Sequence, residues 1–205
     1  MICVNNFEHF ESVFNERKNE RDLFAFLLFD DRDTHESIKR FATDQFTWLN
    51  SLAIEARIFF FAFVPFDHDQ GSSNPSPEVA SLFGIGRKQL PGVVLFTMLD
   101  TRDGAKDHVY YRLKSELFKE ETKVVEDVFV DLFTEIKNAN KQGLEAGSLL
   151  VEVRSRMQSI QKSDRMRPIK QYFIELGHTA AGIPKDFLSS IGGAFASATA
   201  QSITG

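Results

Sequence analysis

The sequence predicts an α/β fold in which a mixed sheet is flanked by helices and followed by a C-terminal helical extension. Three observations predict it. Unbroken apolar runs at Leu23 to Phe29 and Ile58 to Val64 have the length and composition of strands covered on both faces. An amphipathic stripe between them supplies the crossover that two parallel strands require. Strand-like segments on either side of Asp103-Gly104 add an antiparallel hairpin.

Taken in order, Phe7, Phe10, Val13 and Phe14 recur at helical spacing behind Asn5 and Asn6, which suit a helix start, so a first helix is expected from about 6 to 18. The run to Phe29 is then stopped by Asp30 and Asp31. From Thr34, a natural cap, the positions Ile38, Phe41, Ala42, Gln45, Trp48, Leu49, Leu52 and Ala56 trace one apolar face, read as a single long helix. Pro65 ends the second buried run, and Asp67 to Pro77, rich in Gly, Ser, Asn and Pro, reads as loop. A short helix is expected over Glu78 to Phe83, strands over Val93 to Leu99 and His108 to Leu113, and a helix carrying Val125, Val128, Phe129, Leu132, Phe133 and Ile136.

After Asn140 the character changes. Gly143 and Gly147 punctuate the chain, and Leu149, Leu150, Val153, Met157 and Ile160 begin a new helical stripe. From Phe187 onward there is no charged residue, and Phe187, Leu188, Ile191 and Phe195 fall at roughly helical spacing, a pattern that fits a partner-binding tail, a segment folded back on its own domain or a disordered one. The division predicted is a domain over 1–140 and a helical extension over 141–205.

Composition bounds the function. With 205 residues, 42% of them hydrophobic, the chain holds one ordinary domain plus an appendage around a real core. Twenty-one Phe against three Tyr and one Trp indicate aromatic packing between sheet and helices. A net charge of -5 gives no global attraction to nucleic acid or to an anionic membrane, so no nucleic-acid partner is expected. Arg154 to Lys170 is locally basic but interrupted by Asp164, and reads as a solvated face. Gly84-Ile85-Gly86-Arg87-Lys88 lacks the preceding strand of a phosphate loop and reads as a turn. One cysteine, Cys3, cannot form an internal disulfide. Neither a secretory signal pattern nor an 18-residue apolar stretch is seen, so no transmembrane segment and a cytoplasmic location are expected.

The run Phe83-Gly84-Ile85, then Pro91, then Val93 to Phe96 resembles the approach of the thioredoxin superfamily to its cis-proline, with a somewhat longer intervening loop. The resemblance covers residues 1 to about 139 and implies a thioredoxin-like fold. It further implies a redox pair at the start of the long helix, where unpaired N–H groups favour a thiolate. Thr34-His35-Glu36-Ser37 stands there instead. Hydroxyls do not perform thiol-disulfide exchange, and a helix dipole worth about 1 kcal/mol cannot bring their pKa near neutrality. Cys3 sits away from that helix.

The expectation is therefore a non-catalytic adaptor or chaperone-like module without dithiol redox activity or cofactor. Its binding surface would comprise Thr34, His35, Glu36, Ser37, Leu90 and Pro91, and an exposed Phe patch would favour a homodimer. Two enzymatic alternatives stand beside it. A glutathione-like thiol cofactor could use Thr34 or Ser37 as hydrogen-bond donor with Pro91 flanking it. A divalent metal could be held by Asp31, Asp33, Asp67, His68 and Asp69, at the carboxyl ends of two parallel strands where α/β proteins bind ligands. Asp residues also simply solvate loops and cap helices.

Overall fold

Both apolar runs become neighbouring parallel strands in the computed structural model, which describes residues 1–4, 7–17, 20–30, 36–64, 74–97, 108–119, 122–162 and 173–177. The strands are β1 (Ile2–Val4), β2 (Leu23–Leu28), β3 (Phe59–Phe63), β4 (Gly92–Thr97), β5 (His108–Leu113) and β6 (Phe173–Gly177). The helices are α1 (Phe7–Arg17), α2 (Glu36–Asp44), α3 (Phe46–Ala56), α4 (Ser76–Leu82), α5 (Thr122–Asn140) and α6 (Ala146–Lys162). The sheet order is β1-β3-β2-β4-β5-β6. The first three strands in that order are parallel, and β4, β5 and β6 each pair antiparallel with the strand before them.

The chain crosses the sheet one way from β1 to β2 and returns from β2 to β3. Crossovers of one hand must then lie on opposite faces. Accordingly α1 and α4 cover one face, while α2, α3, α5 and α6 cover the other. Side chains alternate to match. Phe24, Phe26, Phe61, Phe63 and Phe96 point to the α1/α4 face, and Ala25, Leu27, Ala62, Val93 and Leu95 to the other. On the aromatic face Phe26 stacks between Phe63 and Phe96, with centroids 5.6 and 5.8 Å away, and Phe10 of α1 caps it at 5.0 Å. Each such ring, fully buried, contributes on the order of 1.5–3 kcal/mol.

The expected α5 stripe is buried from Val125 to Ile136, and the helix extends to Asn140. At the end of α3 the Arg57 N–H donates to the Ile54 carbonyl and the Ile58 N–H to the Ala53 carbonyl, both at 3.0 Å, so the helix closes in a Schellman motif. Arg57 occupies the left-handed position of that motif, at φ 59°. Lys137 and Asn140 of α5 reach across to Glu55 and the Ala56 carbonyl and tie the two helices together.

Four expectations change. The helix read as continuous from Thr34 to Ala56 is divided at Gln45 into α2 and α3, although the Gln45 N–H still donates to the Phe41 carbonyl and its carbonyl accepts from the Leu49 N–H. Strand β1 was not foreseen, since three residues carry no measurable periodicity. The segment expected as a helical appendage contributes α6 to the main core, where Leu149, Leu150, Val153 and Met157 are buried. Its remaining described part is not helical: Phe173–Gly177 pairs with the open edge of β5, whose backbone groups need partners. The tight turn at Asp103-Gly104 lies outside the described residues. Among the described residues no helix is long and apolar enough to cross a membrane.

Candidate functional site

Antiparallel pairing of Leu28 with Gly92 sets the end of β2 beside the start of β4. The parallel partner β3 finishes at this same end of the sheet. Phe29 and Asp30, which follow β2, Val64, which follows β3, and Pro91 therefore share one edge, the carboxyl end of the parallel strands. A buried polar bracket holds it. The Asn74 side chain, 4% exposed, donates from Nδ2 to the Phe29 carbonyl at 3.0 Å and accepts from the Ser76 N–H at Oδ1 at 2.9 Å. The end of β2 and the start of α4 are thereby joined across 45 residues of sequence.

The loop leading to Pro91 is built residue by residue. Gly84, at φ 68°, closes α4: its N–H donates to Ser81 and that of Ile85 to Ala80, again a Schellman motif, with Ile85 buried behind it. The Gly86 N–H then donates to Oε1 of Gln89 at 2.8 Å across a single 3₁₀ turn, Arg87–Gln89. Strand β5 secures the far side. The Tyr110 hydroxyl donates to the Gln89 carbonyl at 2.7 Å, Arg112 to the Lys88 carbonyl at 2.8 Å, and the Leu113 N–H to the Pro91 carbonyl at 2.9 Å. The Leu90-Pro91 peptide is cis. Gly92 follows because a Cβ there would overlap the Tyr110 ring and hydroxyl and the Tyr111 carbonyl oxygen.

Of the residues expected to form a binding surface, Glu36 is exposed at the first position of α2 and Ser37 is half-buried beside it. Leu90 and Pro91 are buried, Leu90 within the aromatic core, so they support this edge from beneath. Thr34 and His35 lie outside the described residues. So do Asp31, Asp33, Asp67, His68 and Asp69, and the tail residues Phe187, Leu188, Ile191 and Phe195. Among the described residues no group of three or more His, Cys, Asp or Glu is placed to hold a metal ion.

Ser37 also borders a polar cleft of about 240 Å³ between α2 and the first turn of α5. Arg40, Asp44, Gln45 and Thr122 contribute its other polar groups. Sequence reasoning missed this feature. Its signal is the polar stripe Ser37, Arg40 and Asp44, which recurs at helical spacing alongside the apolar one.

Ionisable groups in the core follow their burial. Cys3 stands in the edge strand β1, two strands away from β2, and burial pushes its thiol pKa up, away from the reactive thiolate. His108, at the opposite end of the sheet from Pro91, packs edge-on against Phe83 at 5.2 Å, and desolvation lowers its pKa to about 4. Burial raises Tyr111 well above the ordinary phenol range, and nearby Glu135 adds to the effect. His108 is thus far from the carboxyl edge, whereas Cys3 and Tyr111 sit one register position inside it, Cys3 on the outermost strand. Compared with known proteins, the chain matches no family model and no curated sequence.

Proposed function

We propose that this is a thioredoxin-like, redox-inactive adaptor that binds a protein partner at the carboxyl edge of its parallel strands or through its C-terminal tail. The observation that carries the reading is the conjunction at that edge. A cis-proline loop abuts the strand that leads into α2, in a sheet of three parallel strands continued by an antiparallel hairpin, yet no thiol stands at the start of that helix. The chain's single cysteine is in β1, partly buried, with its thiolate disfavoured. Redox chemistry has no nucleophile here, and a rigidly braced edge suits recognition.

Site-specific photo-crosslinking tests the reading. A benzophenone side chain at Glu36 is compared with one at exposed Arg57, at the opposite end of the sheet, and with one at Phe187 in the tail. Discrete protein adducts from Glu36 or Phe187, absent from Arg57, are expected. Indistinguishable patterns at all three positions sink the adaptor reading, as does measurable insulin-disulfide reduction by the purified protein.

A further inference from the structure

The cleft at the break between α2 and α3 gathers two opposite charges and two hydroxyls above an aromatic floor, and we propose that it binds a zwitterion of amino-acid size. This role goes beyond the protein-binding surface and does not depend on it. The floor is fixed. Phe41 meets Phe118 edge-on at 5.6 Å and stacks on Phe129 at 5.5 Å, so the rings beneath the cleft are anchored in the main core. Above that floor Ser37, Arg40 and Asp44 succeed one another at helical spacing on α2, and Thr122 faces them from the first residue of α5.

Size and chemistry narrow the ligand. At about 240 Å³ the cleft falls below the roughly 300–1,000 Å³ that holds drug-sized molecules. Its rim offers one guanidinium and one carboxylate a helical turn apart, which are complementary to the carboxylate and ammonium of an α-amino acid. Arg40 Nε and Asp44 Oδ2 lie 3.7 Å apart on side chains 81% and 61% exposed. A pair that open contributes little, so exchanging it for two ligand charges costs little. The hydroxyls of Ser37 and Thr122 can each donate or accept toward the ligand's carboxylate and ammonium. Because the two rim charges cancel, a simple anion or cation gains one contact and leaves the opposite rim charge facing it.

The test is a set of NMR titrations of the full chain with each common L-amino acid, up to about 10 mM, which reaches the millimolar affinities such a site supports. At least one amino acid is expected to move the amide signals of Ser37, Arg40, Asp44 and Thr122 saturably. Its N-acetyl and amide derivatives, which carry one charge each and mimic peptide termini, are expected to bind about two- to fivefold more weakly, the loss of one contact to a largely exposed charge. Arg40→Gln and Asp44→Asn should weaken binding by a similar factor while leaving the melting temperature unchanged, since both side chains are largely exposed. The proposal is overturned if no amino acid shifts these signals, if the blocked derivatives bind equally well, or if neither substitution weakens binding.

Discussion

Replacing Asn74 with Ala removes both hydrogen bonds of the bracket at the carboxyl edge. The Phe29 carbonyl and the Ser76 N–H are left behind, the first having accepted at 3.0 Å and the second donated at 2.9 Å in a site where Asn74 is 4% exposed. A buried group stripped of its partner costs about 1–3 kcal/mol. Two such groups, partly rescued by local relaxation, give an expected loss of roughly 2–4 kcal/mol, a substantial share of the 5–15 kcal/mol typical of a domain. Urea denaturation should show a lower midpoint with an unchanged slope, and thermal melting a decrease of roughly 5–15 °C. Asn74→Asp sharpens the test. It keeps an acceptor for the Ser76 N–H but turns a carboxylate oxygen toward the Phe29 carbonyl, so at neutral pH it should destabilise at least as much as Ala. As the pH falls through the raised pKa of that buried carboxyl, protonation restores a donor and stability relative to the Ala variant should rise. A loss below about 0.5 kcal/mol for Asn74→Ala, within the range of ordinary surface changes, would refute the bracket.

Other perturbations probe other parts of the fold. Gly92→Ala forces a Cβ against backbone as well as the Tyr110 ring, and should cost about 1–3 kcal/mol or more, measured by chemical denaturation; a neutral result would show that the β4–β5 spacing is looser than described. His108 has a folded pKa of about 4 against 6.5 for the ordinary side chain, so the unfolded chain binds more protons between those values. Its contribution is fully present above pH 6.5 and lost as the pH falls toward 4, about 3 kcal/mol at most, and His108→Leu should flatten the stability curve over that window by this difference. Leu149→Ala should lower global stability by about 2–5 kcal/mol, whereas a loss below about 1 kcal/mol would mean that α6 is not part of the cooperative core. Arg57→Gly should raise the melting temperature by relieving the left-handed backbone at the end of α3, a gain of about 1 kcal/mol.

Strands β2 and β3 were legible because unbroken apolar runs bounded by Asp or Pro have few other solutions, and α5 because six apolar positions from Val125 to Ile136 repeat at helical spacing. The approach to Pro91 was legible for a different reason: Gly84 marks a helix end through its backbone, independent of tertiary context. What escaped lacked a local signal. Ile2–Val4 becomes a strand only because β3 offers an edge, and β6 only because β5 does. The break at Gln45 and the cleft beside it depend on how α5 settles against α2, a long-range outcome that no window of sequence contains. Leu90 and Pro91 were identified by chain position, but their burial follows from Tyr110, Arg112 and Leu113, which hold their loop from twenty or so residues away.

The division of the sheet into a face dominated by rings and a mostly aliphatic face, on which Phe60 and Tyr111 are the large exceptions, has a consequence for how reliably this chain finds its pairing. Sliding β2 or β3 by one residue would drive Phe24 and Phe26, or Phe61 and Phe63, into the layer sized for Ala25 and Ala62, and leave methyl groups facing ring-sized gaps. Both errors are penalised at once, by overlap on one side and voids on the other. Sheets whose two faces carry residues of similar bulk have no such safeguard against misalignment. In this protein the alternation of Phe with Ala works as a key cut for one alignment.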